Sequence, residues 1–235
     1  MATHGSVAKA YLSGFDLSPF IKDISVDEET DKLDATTLSN DGDKEWEIGL
    51  RDGTAEASGL YDDTDVTGID AIMDATRRQP SQQLVYLPRG DSIGRYGEVV
   101  TSFATKYSVK SVVTDLNKID LSFQGGGNGI DIIRVLHPLG QEGSSSNTSA
   151  VDNSAGTSNG GVGVIQTTDL TAGSFTCKIQ HSTDNSAWVD LITFTALAEN
   201  THERIEVAGT VNRYLRAIWT VSGGSPTMFV GFARN

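Results

Sequence analysis

The sequence predicts an all-β protein with one helix, because of its composition and its hydrophobic pattern. Its 235 residues include 25 Gly and only 5 Pro. Thr, Ser and Val are abundant, which is typical of strands that are joined by tight turns. Apolar and polar residues alternate in many short segments, with the period of a strand that has one buried face. A chain of this length is expected to form one or two domains with a real core.

The first part of the chain contains seven segments with strand patterns. The clearest is Lys118–Gln124, in which Ile119, Leu121 and Phe123 alternate with polar residues. This alternation predicts a strand with its apolar side chains turned inward. The predicted strands are Lys9–Asp16, Ile21–Asp27, Gly53–Tyr61, Gln83–Leu87, Gly97–Tyr107, Lys118–Gln124 and Ile130–His137.

One helix is predicted between the third and fourth of these strands. Asp65 is the expected N-cap, and Arg77 and Arg78 follow at the end where cations favour the helix dipole. The apolar stripe of this helix consists of Val66, Ile69, Ile72 and Met73.

The second part of the chain predicts a small Ig-like β-sandwich. Residues 140–150 are rich in Gly and Ser, and we expect a linker there between a domain of residues 1–139 and a domain of residues 151–235. Short strand patterns separated by turn signals follow, as in β-sandwiches. The expected core consists of Phe175, Cys177, Ile179, Trp188, Ile192 and Phe194. The predicted strands are Gly163–Thr167, Ser174–His181, Ala187–Phe194, Glu203–Val207, Tyr214–Val221 and Thr227–Phe232.

The net charge of −13 is concentrated in the first part of the chain, since residues 1–137 contribute −10. An acidic surface repels nucleic acid instead of binding it. Two interpretations stay open: ordinary solubility, and a surface that faces DNA without holding it. The N-terminus has no signal-peptide pattern and no apolar run reaches membrane-spanning length. We therefore expect assembly in the cytoplasm, or exit by another route.

The sequence predicts no catalytic site, no metal site and no cofactor. The four histidines lack ligand spacing such as HxxxH or HExxH. Cys177 is the only cysteine, so no intrachain disulfide is possible. Because Cys177 alternates with Phe175 and Ile179, it is expected to be a small core residue. A hydrolase with carboxylates dispersed in the sequence stays open as an alternative.

A long polar segment, Asp34–Asp52, lies between the predicted strands Ile21–Asp27 and Gly53–Tyr61. Hairpin loops usually have about two to five residues, and loops beyond about 12–15 are uncommon unless they bind something or are disordered. This segment carries large apolar residues, which a disordered arm does not need. We therefore expect it to pack against another copy of the chain through Leu38, Trp46, Ile48 and Leu50.

Residues 7–139 carry an ordered set of short patterns. They begin with AKAYLSGFDLSPFIKDISVDEETDKLDATTL and GLRDGTAEASGLYD, and continue with QQLVYLPRGDSIGRYG and VLHPLG. In this order they resemble siphophage-type tail tube proteins, the major tail proteins. The later patterns KIQHSTDNSAWVDLITF and ERIEVAGTVNRYLRAIWT are similar to β-sandwich decoration domains on some phage tube or virion proteins, and sugar-binding sandwiches share them.

The resemblance implies a tail-tube β-sandwich or barrel with one flanking helix. It also implies homohexameric rings that stack into a tube in the virion tail, beside other tail proteins, with assembly in the host cytoplasm. The long loop would contact the adjacent ring, and DNA would pass along an acidic channel without specific binding. The candidate channel-lining acids, chosen from outward or strand-flanking positions, are Asp27, Glu29, Asp31, Glu98 and Asp120.

An alternative function is carbohydrate binding, as in an adhesin. The C-terminal sandwich would then bind cell-surface glycans, with Trp188, Tyr214 and Trp219 stacked on a sugar ring. The apolar neighbours that alternate with these residues favour burial instead. The two functions are compatible with each other, since a decoration domain on a tube can also bind glycans.

Overall fold

The part of the chain that the structure describes is all-β with one α-helix, which confirms the predicted fold class. The computed structural model describes residues 5–39, 42–170, 173–195 and 198–235. Helix α1 is Ile69–Thr76, and a short 3-10 turn covers Gly5–Val7. No helix in these ranges is long and apolar enough to cross a membrane. The strands are β1 (Lys9–Leu12), β2 (Phe15–Asp16), β3 (Ile21–Asp34), β4 (Trp46–Leu60), β5 (Gln82–Leu87), β6 (Tyr96–Lys110), β7 (Lys118–Gln141), β8 (Ser146–Asn147), β9 (Val151–Asp152), β10 (Gly161–Leu170), β11 (Ser174–Ser182), β12 (Val189–Thr193), β13 (Thr201–Val207), β14 (Tyr214–Ser222) and β15 (Pro226–Arg234).

The chain forms two compact units, and neither is a continuous stretch of sequence. The first unit comprises residues 1–20, 83–99 and 131–235, and the second comprises residues 21–82 and 100–130. Strands β6 and β7 contribute residues to both units. The boundaries of these units differ from those of the predicted domains, residues 1–139 and 151–235. The functional division into a tube domain, a linker and a decoration domain stays a prediction.

The main core of the first unit lies between two antiparallel sheets. One sheet has the order β13, β10, β15 and the second half of β7, and the other has the order β12, β11 and β14, with β8 and β9 paired to β14. Apolar side chains from both sheets form one cluster, which includes Leu136, Ile165, Phe175, Cys177, Ile179, Leu215, Trp219, Met228 and Phe232.

Five of the six predicted core residues of the sandwich are buried, and Trp188 is the exception. Phe175, Cys177, Ile179, Ile192 and Phe194 are each at most 3% exposed. Trp188 is only half-buried, because it precedes the edge strand β12. The guanidinium of Arg216 covers its ring at 4.1 Å from the centroid.

The Ser- and Gly-rich residues 140–150 are hydrogen-bonded to the sandwich. Gly140 and Gln141 extend β7 and pair with Met228 and Thr227 of β15. Thr148 is buried; its backbone N–H donates to the carbonyl of Ala217 at 2.9 Å, and its hydroxyl accepts the Ala217 N–H at 3.0 Å. Ser and Thr are common in flexible linkers, but their hydroxyls also bond to backbone groups at strand edges. Composition alone therefore does not distinguish a linker from a segment that is bonded to a sheet.

The second unit contains α1 and the sheet formed by β3, β4 and the first half of β7. Ile69, Ile72 and Met73 of the predicted helix stripe are buried. The predicted start at Asp65 is wrong, because α1 begins at Ile69 with Gly68 as an N-cap that has no side-chain bond. Val66 is 75% exposed and has φ of 71°.

The physical reason for the later start lies in the turn before the helix. The Asp62 carboxylate accepts the Thr64 N–H at 2.8 Å, and the Gly68 N–H donates to the Thr64 carbonyl at 2.8 Å. These bonds hold residues 62–68 in a turn, as Asp side chains commonly do.

Candidate functional site

The segment predicted as a long loop is largely a long β-hairpin, which corrects the interpretation of Asp34–Asp52. Strands β3 and β4 stay paired from Ile21 opposite Gly59 to Asp34 opposite Trp46. The ladder shifts register between Thr30 and Lys32. At this shift Gly49 lies so close to Asp31 that a Cβ atom at Gly49 would be 2.7 Å from the Asp31 Cβ. The connection that remains between the strands is residues 35–45, of which residues 40 and 41 lie outside the described ranges.

The outer hairpin has no buried face. Between residues 21 and 52 every described residue is exposed or half-buried. A strand pattern with period 2 arises when one face is buried and the other is wet. Residues 28–34 and 46–52 have water on both faces, so they show no such alternation, and this is why the sequence misses the outer part of both strands.

The four predicted contact residues of this segment are all exposed. Leu38 lies in the connection at 110% exposure, and Trp46, Ile48 and Leu50 lie on β4 at 53%, 79% and 80%. Lys44 places its ammonium 5.3 Å from the centre of the Trp46 ring. Leu33 on β3 is 54% exposed as well, but it lies opposite Glu47 and therefore on the other face of the hairpin from Trp46 and Ile48. Whether they contact another subunit stays a prediction.

One face of the sheet in the second unit is acidic. Residues directly opposite each other in the ladder share a face; Asp23 lies opposite Ser58, and Ser58 lies opposite Asp120. Because successive side chains alternate between faces, this face is traced along each strand from these pairs. We call it the acidic face; its carboxylates are Asp23, Asp27, Glu29, Asp52, Glu56 and Asp120.

Few polar contacts offset this negative charge. The Lys106 ammonium lies 3.9 Å from Asp120 with both side chains about half exposed, and the Ser108 hydroxyl lies 3.5 Å from the same carboxylate. The Gln124 amide donates to Asp52 at 2.5 Å. Exposed ion pairs such as Lys106–Asp120 contribute little to stability. Among the described ion pairs only Lys106–Asp120 involves a carboxylate of the acidic face, so most of the negative charge of this face is not paired.

Three of the five predicted channel acids lie on this face. They are Asp27, Glu29 and Asp120, all of them exposed. Asp31 is exposed at the register shift of β3, and Glu98 is half-buried in the first unit. Asp23, Asp52 and Glu56 were missed, since only the pairing of three strands places them beside Asp27 and Asp120. The role of all these acids stays a prediction.

The opposite face of this sheet is apolar and buried. Ala55 and Ala57 of β4 and Ile119, Leu121 and Phe123 of β7 are each at most 6% exposed. The sheet thus has one dry face and one acidic face, which is the usual arrangement of an antiparallel sheet at a surface.

Helix α1 is tied to β6 in the second unit. The Tyr107 hydroxyl donates to the Asp70 carboxylate at 2.6 Å. Desolvation, together with the Asp70 carboxylate, raises the pKa of the Tyr107 hydroxyl well above its usual value.

Cys177 is not a reactive nucleophile in this structure. Cys177 is 1% exposed inside the sandwich core, and desolvation raises the pKa of its thiol to about 12. A thiol with this pKa is almost wholly protonated at neutral pH and reacts slowly. Within the described ranges no group of three or more His, Cys, Asp or Glu side chains is placed to hold a metal ion.

The three aromatic residues considered for sugar stacking differ in exposure. Trp219 is buried at 5%, donates its indole N–H to the Ser144 carbonyl at 2.9 Å and packs edge-on against His137. Trp188 and Tyr214 are half-buried. The Arg216 guanidinium lies over the Trp188 ring, and the Arg213 guanidinium lies over the Tyr214 ring. The Trp219 ring is thus closed to a ligand, and glycan binding by the C-terminal part stays a prediction.

No family model and no curated protein matches this sequence. Among solved structures, the chain is similar to a protein in the virion of a native gene transfer agent (GTA) particle, at 13% identity and TM-score 0.44, over 56% of this chain and 98% of that chain. A protein in the tail of an empty GTA particle, refined with C6 symmetry, aligns at 15% identity and TM-score 0.36, over 55% and 97%. The Dit protein of SPP1, from the hub of the adsorption apparatus in phages that infect Gram-positive bacteria, aligns at 9% identity and TM-score 0.36, over 97% and 100%. At TM-scores below 0.5 these similarities carry no conclusion about function.

Proposed function

We propose that this chain is a structural subunit of a bacteriophage tail: a tail tube protein that polymerises as stacked hexameric rings around an acidic channel for DNA. The observation that carries the proposal is the long hairpin of β3 and β4, in which no described residue from 21 to 52 is buried. The sequence resemblance of residues 7–139 to major tail proteins supplies the specific assembly. The proposal assigns the protein to the virion tail, with other tail proteins as neighbours and no catalytic step.

The outer part of the hairpin gains little stability from its own chain, because it is paired on one side only and has no buried face. An isolated two-stranded hairpin is marginal in water, and further strands or a packed face are needed to hold it. Burying one large aliphatic or aromatic side chain contributes about 1.5–3 kcal/mol. Leu38, Trp46, Ile48 and Leu50 together offer several times that amount to an interface between rings. Obligate interfaces of this kind typically bury more than about 2,000 Å² in total.

The outer edge of β3 supports a closed ring. Among the described strands β3 pairs only with β4, although it is 14 residues long. A long unpaired edge is an aggregation liability that proteins usually cover. Ring closure covers it by placing each exposed edge against the next copy, in a cyclic arrangement that leaves no free margin.

The acidic face supports passage of DNA without binding. Duplex DNA carries one negative charge per about 1.7 Å of its axis, and lysine- or arginine-rich walls hold it by releasing counterions. The acidic face has the opposite charge to such walls, so it repels phosphate. Its carboxylates include those of Asp23, Asp27, Glu29, Glu56 and Asp120. In the proposed tube these acids face the channel, with Asp31 and Glu98 as further candidates.

The proposal is tested by replacing Trp46 with Asp. Trp46 is 53% exposed, so the variant is expected to remain a folded monomer with an unchanged circular dichroism spectrum. A carboxylate at an apolar contact between rings removes burial and adds a desolvation cost. We therefore expect that tubes seen by negative-stain electron microscopy with the native chain at high concentration are absent with Trp46→Asp.

The matched control is Val113→Asp, which changes another exposed apolar residue of the same unit. Val113 is 106% exposed and lies outside the hairpin. This variant is expected to form tubes as the native chain does. Normal tubes from Trp46→Asp would contradict the role of the hairpin, and a native chain that stays monomeric at every concentration would contradict the whole proposal.

A further inference from the structure

A groove in the first unit carries positive charge in a chain that is otherwise acidic. Its walls are formed by side chains of β6, β7 and β15 and by the turn after β9. We call it the basic groove; it is lined by Tyr96, Ile132, Arg134, Asn153, Phe232 and Arg234.

Arg134 is held in this groove by neutral partners only. Its guanidinium donates to the carbonyl oxygens of Gly94 at 3.2 Å and Asp152 at 2.9 Å, and to the Asn153 side-chain oxygen at 3.1 Å. Its guanidinium carbon lies 5.2 Å from the centre of the Tyr96 ring. None of these hydrogen bonds is to a carboxylate; the Asp152 carboxylate, which is bonded to Arg213, is near enough for the charge of Arg134 to help lower its pKa.

Arg234 is beside Arg134 and lacks a partner at its Nε atom. This nitrogen is buried and makes no hydrogen bond. Burial and the charge of Arg134 both lower the pKa of Arg234, in that order. A buried donor without an acceptor is destabilising, so the Nε atom adds to the cost of keeping this arginine charged in the groove.

Three other cations of the same unit are paired with carboxylates. Lys178, Arg204 and Arg213 each lie within 2.8 Å of a carboxylate oxygen of Asp190, Asp131 or Asp152. Among the described ion pairs, neither Arg134 nor Arg234 takes part in one. Neither arginine of the basic groove therefore has a carboxylate within ion-pair distance among the described pairs, and the nearby Asp152 is bonded to Arg213.

The groove also offers apolar surface. Ile132 is 63% exposed and Tyr96 is 55% exposed. Side chains of this kind form the centre of protein interfaces, where aromatic residues and Arg are enriched. A partner for this surface combines carboxylates with large apolar side chains.

We propose that the basic groove receives the β3–β4 hairpin of a second copy of this chain. Residues 32–48, the end of the hairpin beyond the candidate channel acids, hold five acidic and two basic residues, a net charge of −3. In the β3–β4 ladder Asp34 lies directly opposite the exposed Trp46, so a carboxylate and a large apolar side chain share one face of the hairpin. This inference rests on the proposed function, and names the surface on the neighbouring subunit that the hairpin contacts.

The second copy fits this groove better than DNA does. Phosphate would satisfy Arg134 and Arg234, but the net charge of −13 repels a polyanion at a distance. DNA also has no large apolar side chain that could pack against the exposed Ile132. Opposite charges on two surfaces of one chain, by contrast, steer copies together and select the register of docking.

Cysteine cross-linking tests the contact directly. One preparation carries Ile132→Cys in the groove and the other carries Ile48→Cys in the hairpin, both in the full chain. The two are mixed at tube-forming concentration under copper-catalysed air oxidation. The buried native Cys177 does not compete. Because a disulfide needs Cα atoms within about 7 Å, a linked dimer on a non-reducing gel reports close contact.

We expect the mixed pair to form several-fold more linked dimer than a pair of Val113→Cys with Ile48→Cys. Cross-linking no better than this control, in samples whose micrographs show tubes, would overturn the groove contact and leave the tube proposal standing. Samples with neither tubes nor cross-links would overturn both.

Charge reversal gives an independent readout. Arg234→Glu is expected to lower the yield of tubes at least tenfold, and adding Asp34→Arg, on the Trp46 face of the hairpin, in the same chain is expected to restore part of it. The urea midpoint of each variant separates a folding defect from an assembly defect. A correctly folded Arg234→Glu chain with a native tube yield, or a double variant no better than the single one, would contradict the docking.

Discussion

The sandwich of the first unit and the hairpin of the second unit use the same apolar residue types in opposite ways. In the sandwich, Phe175, Phe194 and Phe232 are at most 2% exposed and pack with residues of two sheets. In the hairpin, Trp46, Ile48 and Leu50 are more than half exposed. The first region completes its core within one chain. The second presents the same kind of surface without covering it, which is expected of a region whose partner is another molecule.

The two tryptophans Trp219 and Trp46 make the contrast sharpest. Trp219 has its indole N–H bonded to the Ser144 carbonyl and its ring against His137 at 4.8 Å between centroids. Trp46 has only the Lys44 ammonium described over its ring. Buried Trp usually finds a hydrogen-bond partner, and exposed Trp is enriched at interfaces. In the proposed assembly, folding stability and tube formation depend on different regions, so substitutions in the two regions should have separable effects.

The largest expected effect on folding comes from Phe229→Ala in the first unit. Phe229 is fully buried and its ring centroid lies 5.4 Å from that of Tyr11. Truncation of such a residue leaves a cavity and lowers the free energy of unfolding by about 3–5 kcal/mol. Urea denaturation measures the loss. Phe103→Ala is the control, since Phe103 is 39% exposed and its truncation should lower the free energy of unfolding clearly less. Equal losses for the two variants would mean that burial does not determine the cost of removing these side chains.

A smaller effect, which depends on pH, is expected from Asp152→Asn. Both nitrogens of the Arg213 fork donate to the Asp152 carboxylate, at 2.7 and 2.6 Å, and this bond lowers the pKa of Asp152 to about 2 from 3.8. A lowered carboxyl pKa contributes stability above the unfolded value, and this contribution is lost as pH falls from about 4 towards 2. The native chain should therefore melt slightly higher than the variant at pH 7.

The difference in melting temperature should shrink as the pH approaches 2. Exposed ion pairs contribute little, so the effect at pH 7 should be small. A difference that stays constant between pH 7 and pH 2 would show that the Asp152 charge is not its source. Lys118→Ala removes another exposed ion pair, between Lys118 and Asp115, and its change in melting temperature at pH 7 is the comparison for the size of the Asp152→Asn effect.

The smallest effect on the isolated chain is expected from Ile48→Ser. Ile48 is 79% exposed, and surface substitutions of this kind usually change the free energy of unfolding by less than about 0.5 kcal/mol. The monomer should unfold at the native urea midpoint while the tube yield falls. A marked loss of monomer stability would show that Ile48 is covered within its own chain, which would remove the contrast between the two regions.

The sequence by itself determined the elements that have one wet and one dry face. The alternation in Lys118–Gln124 reports the buried side of β7, and the helix stripe of Ile69, Ile72 and Met73 reports the buried side of α1. The exposed apolar residues of the hairpin were also recognisable, because a Trp in a polar segment is unusual whatever its backbone does. Patterns of this kind are local, so a single segment contains the whole signal.

Only the tertiary structure decided the features that depend on distant segments. The outer halves of β3 and β4 pair without a buried face, so no alternation marks them. The acidic face joins Asp23, Glu56 and Asp120 from three strands, and the ladder alone brings them together. In the same way β7 pairs with β15, which brings Arg134 beside Arg234 from residues 100 positions apart in the chain. A sequence pattern reports which side of a segment is dry, but register and pairing partners are set by long-range contacts that no single segment encodes.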